Sequence, residues 1–400
     1  MPQTPTKATT AMGAALSMSL CAGLLVASEF LPVSLLSPMA RDLAITDGQA
    51  GQAISISGLF AVLTSLFAGR FTRTIDRKWL QSAYVVCMIL SGLIVTLAPT
   101  YVALMFGRML LGVAVGGFWS MTTSLTMRLL SPTEVPKGLA IINAGVAVSS
   151  ILSAPLGSWL GEVVGWRATF FTLVPLAFGA LVWQIRTMPA LPPRGTGPRP
   201  SPLRLLVRAE VRWAMASVFL LFMGQFAVFT YLRPYLELVV GLKIDLISVA
   251  FLGLGLAGLA GTYVVSQILR SFSFAPLIAI PTVMTVVAIG LIVGTGSKEW
   301  VIALLVLWGA FASAAPVGWG AWLARALDSE AEAGGGLQVA VIQLAIMSGA
   351  AAGGMVFDRF GWAFTFSAAI FLLAGSALAA FATMRISRNS ANRQRKMAQA

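Results

Sequence analysis

Long, uninterrupted runs of apolar residues alternate with short polar segments along the whole chain. A helix that is apolar on every side belongs in a membrane or in the core of a large protein, and roughly 20 such residues cross a bilayer. We place the spans at 11–36, 50–70, 79–98, 100–126, 137–161, 168–187, 213–236, 246–269, 275–295, 299–323, 334–357 and 362–384. The pattern therefore predicts an all-α membrane protein with twelve transmembrane helices.

A polar segment divides the spans into two groups of six. Residues 191–200 (LPPRGTGPRP) are rich in proline and arginine, a composition typical of an exposed linker. We predict a first six-helix bundle at 1–187, a cytoplasmic linker at 188–212, a second six-helix bundle at 213–384 and a basic cytoplasmic tail at 385–400.

Two motifs recur in the two halves and indicate an internal repeat. They are Gly157-x7-Gly165-Trp166-x3-Phe170 with Gly353-x7-Gly361-Trp362-x3-Phe366, at an offset of 196, and Glu29-Phe30-Leu31-Pro32 with Tyr231-Leu232-Arg233-Pro234, at an offset of 202. Repeated six-helix halves are typical of secondary transporters, in which the substrate binds between the halves near the middle of the membrane.

The charged residues fix the expected orientation. Ten per cent of the residues are charged, whereas about a quarter are charged in a soluble domain. The net charge of +13 would suit nucleic acid, but the cations lie in loops and the tail instead of on one helix face. With a cytoplasmic N-terminus, 20 Lys and Arg residues face the cytoplasm and 5 the other side. We expect both termini in the cytoplasm, a monomer in a lipid bilayer, and no nucleic-acid partner.

Several kinds of chemistry are excluded by what the sequence lacks. There is no histidine, so Ser–His–Asp triads and most zinc sites are ruled out. Neither a G-x-x-x-x-G-K-[ST] nor a G-x-G-x-x-G motif occurs, so we do not expect ATP-driven transport. Cys21 and Cys87 both lie within spans, and we expect no disulfide. The chain is therefore not expected to be an enzyme or to need a metal or cofactor.

Two charges lie deep inside the spans, Glu29 in the first and Arg108 in the fourth. An ionised side chain at mid-bilayer costs about 2.5–3.5 kcal/mol, which makes such residues functional candidates. At 1.5 Å per residue their depths agree within roughly 3 Å, so contact is geometrically feasible. We predict proton coupling through this pair; a static ion pair that fixes helix packing is the alternative. Arg233, near the outer end of span 7, is expected to reach water.

Amide and aromatic side chains within the spans are candidates for a substrate pocket. Gln225 and Phe229 lie one turn apart on one face of span 7. The other candidates are Phe118, Trp119, Asn143, Trp319, Gln338 and Gln343. Amides combined with aromatic rings suit a flat, uncharged ligand that forms hydrogen bonds. The alternative is that the amides join helices and that some rings belong to the interfacial belt.

Span 5 carries Ser153-Ala-Pro155-Leu-Gly157-Ser-Trp-Leu-Gly161, a proline within a series of small residues. The proline frees a backbone carbonyl and the small residues let the helix bend and slide, so we predict a conformational hinge at Pro155, Gly157 and Gly161. This segment resembles the antiporter motif of the major facilitator superfamily, with Ala154 where that motif usually has glycine.

Two other segments extend this resemblance. Arg108 with Gly112 resembles the helix-4 motif that the superfamily uses in proton transfer. Asp76-Arg77-Lys78 occupies the place of the motif between helices 2 and 3. Because the Gly-x-x-x-Asp spacing of that motif is lost here, we do not transfer its gating contact and expect Asp76 only to cap a helix.

The similarity is greatest to the drug:proton antiporter branch, and within it to exporters of purine ribonucleosides. It is densest in the segments 29–36, 116–120, 124–128, 225–226, 316–319 and 338–345. The resemblance implies an inner-membrane protein of bacteria that exports inosine-like or guanosine-like compounds in exchange for protons by alternating access. A multidrug or sugar exporter of the same superfamily is the alternative, and a sensor that resembles a transporter but signals without flux is a further one.

Overall fold

The computed structural model describes residues 5–71, 74–131, 134–193, 202–271, 274–327 and 330–399. These ranges contain twelve long α-helices and no β-strand. In the first half the helices are α1 Pro5–Asp42, α2 Asp47–Phe71, α3 Arg77–Leu97, α4 Tyr101–Leu129, α5 Val135–Val163 and α6 Gly165–Thr187. In the second half they are α7 Ala209–Thr230, α8 Ile244–Ser271, α9 Ala275–Val293, α10 Lys298–Ala326, α11 Ala331–Phe360 and α12 Trp362–Gln399.

The prediction of an all-α chain with twelve long helices is confirmed. Eleven of the helices have the length and the hydropathy of a membrane span among the described residues, and α2 covers the remaining predicted span. Helix α12 continues to Gln399 through the segment predicted as a tail, where Arg, Lys, Gln and Ala favour helix.

The predicted span 213–236 is not one continuous α-helix in the structure. Helix α7 ends at Thr230 and is followed by a short helical turn, Leu232–Pro234, and a π-helical turn, Tyr235–Val239. Pro234 has no N–H, and its ring collides with the carbonyl four residues earlier, which is that of Thr230. The regular helix therefore ends at Thr230.

The chain divides into two compact units. Unit 1 comprises Met1–Gly197 with Lys243–Leu252, and unit 2 comprises Pro198–Leu242 with Gly253–Ala400. In unit 1, α1 packs against α5, α6 and α2, and α4 packs against α2 and α3. In unit 2, α7 packs against α12 and α11, and α9 packs against α12 and α10.

The internal repeat is visible in the geometry of two helix corners. Gly165 joins α5 to α6 with φ +83°, and Gly361 joins α11 to α12 with φ +88°, a conformation that favours glycine. The rings of Trp166 and Phe170 meet edge to face at 6.2 Å, and those of Trp362 and Phe366 do so at 5.8 Å. The repeated sequence motif thus builds the same corner in each unit.

The first residues of the predicted linker are attached to unit 1. The Asp76 carboxylate caps α3 by accepting the N–H of Lys78 at 2.8 Å, as expected, and also accepts the N–H of Leu191 at 3.0 Å. The N–H of Arg77 donates to the Leu191 carbonyl at 3.1 Å. Since Leu191 is also buried in the core of unit 1, the chain leaves this unit only after it.

Candidate functional site

Arg108 is fully buried in unit 1 and joins three helices. Its Nε donates to the Ala53 carbonyl of α2 at 2.9 Å, and its Nη1 donates to the Ser28 carbonyl of α1 at 2.6 Å. Its Nη2 donates to the Glu29 carbonyl at 3.0 Å and to the Ser57 hydroxyl at 3.3 Å. The guanidinium is therefore held in one position by backbone groups of two neighbouring helices.

A proline explains why a carbonyl of α1 is available to Arg108. In a regular helix the carbonyl of Ser28 would accept the N–H of residue 32, but residue 32 is a proline and has no N–H. Arg108 Nη1 supplies the missing donor at this position. The sequence contains a signal for this contact, because Pro32 lies four residues after Ser28, but hydropathy alone does not reveal it.

Glu29 lies at the same level of α1 and is 5% exposed. Arg108 contacts its backbone carbonyl, and the two side-chain charges interact electrostatically. The structure therefore brings together Glu29 and Arg108, the two charged residues predicted as a pair, within one unit and away from solvent. Glu29 therefore lies beside a cation whose position is fixed.

The pocket candidates of unit 1 differ in their surroundings. Phe118 is fully buried in the hydrophobic core, and its ring meets that of Trp119 edge to face at 5.9 Å. Trp119 is partly buried, whereas Asn143 lies on the exposed surface of α5. The three side chains therefore do not share one environment.

The pocket candidates of unit 2 centre on α7. The Phe229 ring meets the Phe226 ring edge to face at 5.8 Å. The Oε1 atom of Gln225 is buried and finds no hydrogen-bond donor among the described residues. An unpaired buried acceptor costs about 1–3 kcal/mol, so this oxygen is suited to a ligand that carries a donor.

The remaining candidates of unit 2 lie on α10 and α11. Trp319 is fully buried and meets Trp322 edge to face at 5.8 Å. Gln338 is buried and Gln343 is half-buried on α11, the helix that packs against α7. These two amides are therefore on a neighbour of the helix that carries Gln225.

The predicted hinge residues lie where α5 packs closely on α1. A side chain at Gly157 would collide with Ser34 and Leu31, and one at Gly161 would collide with Leu35. Pro155 is buried inside a helix that continues to Val163. These small residues allow the close approach of two helices. The hinge at this place stays a prediction.

The expectation that Arg233 reaches water was wrong. Its side chain is fully buried, and its Nε pairs with Glu237 Oε1 at 2.7 Å. The turn after Pro234 keeps these residues on one face, and their spacing of four is that of a helical ion pair. Position along a span indicates depth in the membrane, but it does not show which neighbours cover a side chain.

Comparison with known proteins identifies the scaffold. The family model described as Major Facilitator Superfamily matches residues 18–309. The chain is 46% identical over 380 residues to the "Transcription regulatory protein OpdE" of Pseudomonas aeruginosa, covering 94% of each chain. It is 39% identical over 348 residues to the "Purine ribonucleoside efflux pump NepI" of Escherichia coli, covering 87% of this chain and 88% of that protein.

A solved structure shows the same fold at much lower sequence identity. The D-xylose–proton symporter superposes with a TM-score of 0.73 at 14% identity, covering 92% of this chain and 96% of that one. This likeness shows that the two proteins share a fold. The family match and the identity to an efflux pump confirm the expectation of a transporter rather than an enzyme. The chain belongs to the Major Facilitator Superfamily.

Proposed function

We propose that the protein is a secondary active exporter that moves purine ribonucleosides, of the inosine or guanosine kind, out of the cell in exchange for protons. The observation that carries the substrate assignment is the 39% identity to a purine ribonucleoside efflux pump over 87% of the chain. The basic loops support an inner-membrane location with both termini in the cytoplasm, because 20 of the Lys and Arg residues then lie on that side.

We assign proton coupling to Glu29, with Arg108 as its fixed partner. The ionised pair is neutral overall, whereas protonation of Glu29 leaves Arg108 as an unbalanced charge in an apolar interior. Such a charge is strongly unfavourable, so protonation favours a conformation in which the pair meets water. The rigid attachment of Arg108 to the backbone of α1 and α2 means that this change acts on the packing of helices.

We assign substrate binding first to Gln225 and Phe229. The unpaired Oε1 of Gln225 is suited to an N–H donor of a purine, and an aromatic ring one turn away suits stacking on its base. Phe118, Trp119, Asn143, Trp319, Gln338 and Gln343 remain proposed lining residues. Of these, Phe118 and Trp319 are fully buried, so they would contact a ligand only after the helices move.

A second candidate function is a sensor that binds a small molecule without transporting it. The observation in its favour is the 46% identity to a protein named as a transcription regulatory protein. That name describes the relative, and for this chain it defines an alternative to test.

Uptake into inverted membrane vesicles distinguishes the two functions. We would supply labelled inosine, guanosine, arabinose and ethidium, with and without a pH gradient, to vesicles that contain the wild type or Glu29→Gln. Gradient-dependent accumulation of the nucleosides alone, lost in Glu29→Gln, is the expected result. Accumulation of ethidium or arabinose instead would indicate a multidrug or sugar exporter. Saturable nucleoside binding to the purified protein without any accumulation would support the sensor.

A further inference from the structure

A small cavity lies beside Arg108 in unit 1 and is lined by residues of α1, α3, α4 and α6. It is about the size of one water molecule. Its polar lining comes from Ser28, Ser91 and Arg108, and its apolar lining includes Val95 and Phe170. The cavity therefore combines a mostly apolar wall with three polar groups on three different helices.

Each polar group at the cavity has an unused hydrogen bond. A guanidinium has five N–H donors, and four of those of Arg108 have acceptors, which leaves one N–H on Nη1. The hydroxyls of Ser28 and Ser91 belong to buried residues and form no hydrogen bond with other described residues. In contrast, Ser57 on α2 donates to the carbonyl three residues earlier, as helix serines in this unit commonly do.

We propose that this cavity binds a single water molecule that accepts the remaining N–H of Arg108 and bonds to the hydroxyls of Ser28 and Ser91. Three polar partners and room for one water molecule are what a stable buried water requires. Ser91 then acts as a positioning residue, because the water links α3 to a guanidinium that α3 does not otherwise contact through a described hydrogen bond.

The water would set how strongly Arg108 acts on Glu29, a role that rests on the proposed proton coupling. While one N–H is bound to water, part of the positive charge of Arg108 is directed at the cavity. Without the water, the charge of Arg108 is less screened, and its attraction to the acid with which it already interacts is stronger. A stronger attraction favours the ionised form of Glu29, so proton release should then persist to lower pH.

Few other groups near Arg108 can produce this effect. The titratable side chains on the surrounding helices, apart from those at their ends, are Cys21 on α1 and Tyr84 and Cys87 on α3. Glu29 is the one charge found to act on Arg108 among the described residues. A shift in the pH dependence of proton release therefore reports on this pair.

Proton release on addition of inosine to the purified full-length protein, measured across pH, tests the proposal. Ser91→Ala removes one partner of the water, and Ser91→Val also fills the cavity. Both should move the midpoint of release to lower pH by on the order of 0.5–1 unit. Ser82→Ala is the matched control, because Ser82 is buried on the same helix but does not line the cavity. Its midpoint should equal that of the wild type.

A high-resolution map of the wild type and of Ser91→Val provides an independent test. Density for one water beside Arg108 Nη1 in the wild type, absent from Ser91→Val, is expected. A dry wild-type cavity, or equal midpoints for Ser91→Ala, Ser91→Val and Ser82→Ala, would overturn the proposal. If the wild type itself releases no protons, the proposed coupling is wrong, and the map alone then decides whether the water is bound.

Discussion

Replacing Arg108 by lysine tests whether the guanidinium fork, and not only the positive charge, holds α1, α2 and α4 together. Lysine keeps the charge but presents its donors from a single nitrogen. That nitrogen cannot reach the carbonyls of Ser28 and Ala53 together in the way that Nη1 and Nε do. We expect Arg108→Lys to fold less stably and to lose most transport.

The size of the loss in stability depends on which of the carbonyls that Arg108 contacts also accept a hydrogen bond from a backbone N–H. In a regular helix Ala53 and Glu29 have carbonyls that also accept the N–H four residues later. The carbonyl of Ser28 has no such donor, because residue 32 is proline. Leaving this one carbonyl unpaired costs about 1–3 kcal/mol, and the lost charged hydrogen bonds add to it. We therefore expect Arg108→Lys to lower the free energy of unfolding by about 2–5 kcal/mol.

A double-mutant cycle with Pro32→Ala tests this explanation directly, because it measures the coupling energy between the two positions. Alanine at 32 supplies the N–H that Ser28 lacks, so Pro32→Ala should recover part of the loss caused by Arg108→Lys. Unfolding of the purified protein in detergent, followed by tryptophan fluorescence, gives the four free energies. Pro38→Ala is the control. Pro38 is in the same helix, but Arg108 does not contact the carbonyl four residues before it. A coupling energy below about 0.5 kcal/mol between Pro32→Ala and Arg108→Lys would refute the role given to Ser28.

Three further predictions address the site and the linker. Glu29→Gln should abolish gradient-driven efflux while exchange of nucleoside for nucleoside continues; proton release that persists in this variant would make Glu29 a structural partner only. Gln225→Ala should weaken nucleoside binding roughly 5- to 150-fold in equilibrium binding, since a buried hydrogen bond is lost; unchanged affinity here and in Phe229→Ala would move the site elsewhere. Asp76→Ala should destabilise the start of α3 by about 1 kcal/mol and speed trypsin cleavage within 188–212; unaltered cleavage would show that Leu191 stays attached without the carboxylate.

The sequence predicted the fold well because long apolar runs leave few alternatives in a membrane. Backbone groups must be satisfied within each segment there, so such runs become helices and their number fixes the architecture. The paired corners at Gly165 and Gly361 were also predictable, because a glycine with positive φ and an aromatic pair at fixed spacing are local features.

Features that depend on contacts between several segments could not be predicted from the sequence in this way. The contact of Arg108 with the carbonyl of Ser28 needs a partner from another helix, although Pro32 marked which carbonyl was available. The burial of Arg233 depends on the turn after Pro234 and on what packs around it, neither of which the hydropathy of the span reveals. The cavity beside Ser91 arises only where four helices meet.

The repeat also supports the proposal that proton coupling depends on unit 1. Both halves have a proline at the same place in the repeat, Pro32 and Pro234, and both bury an arginine near it. In unit 2 the pair Arg233 and Glu237 lies within one turn of a single segment, so a movement between helices leaves it intact. In unit 1 the cation is on α4 and the acid on α1, so its geometry changes whenever these helices shift. This difference between the two pairs is the reason for proposing that coupling depends on the pair in unit 1.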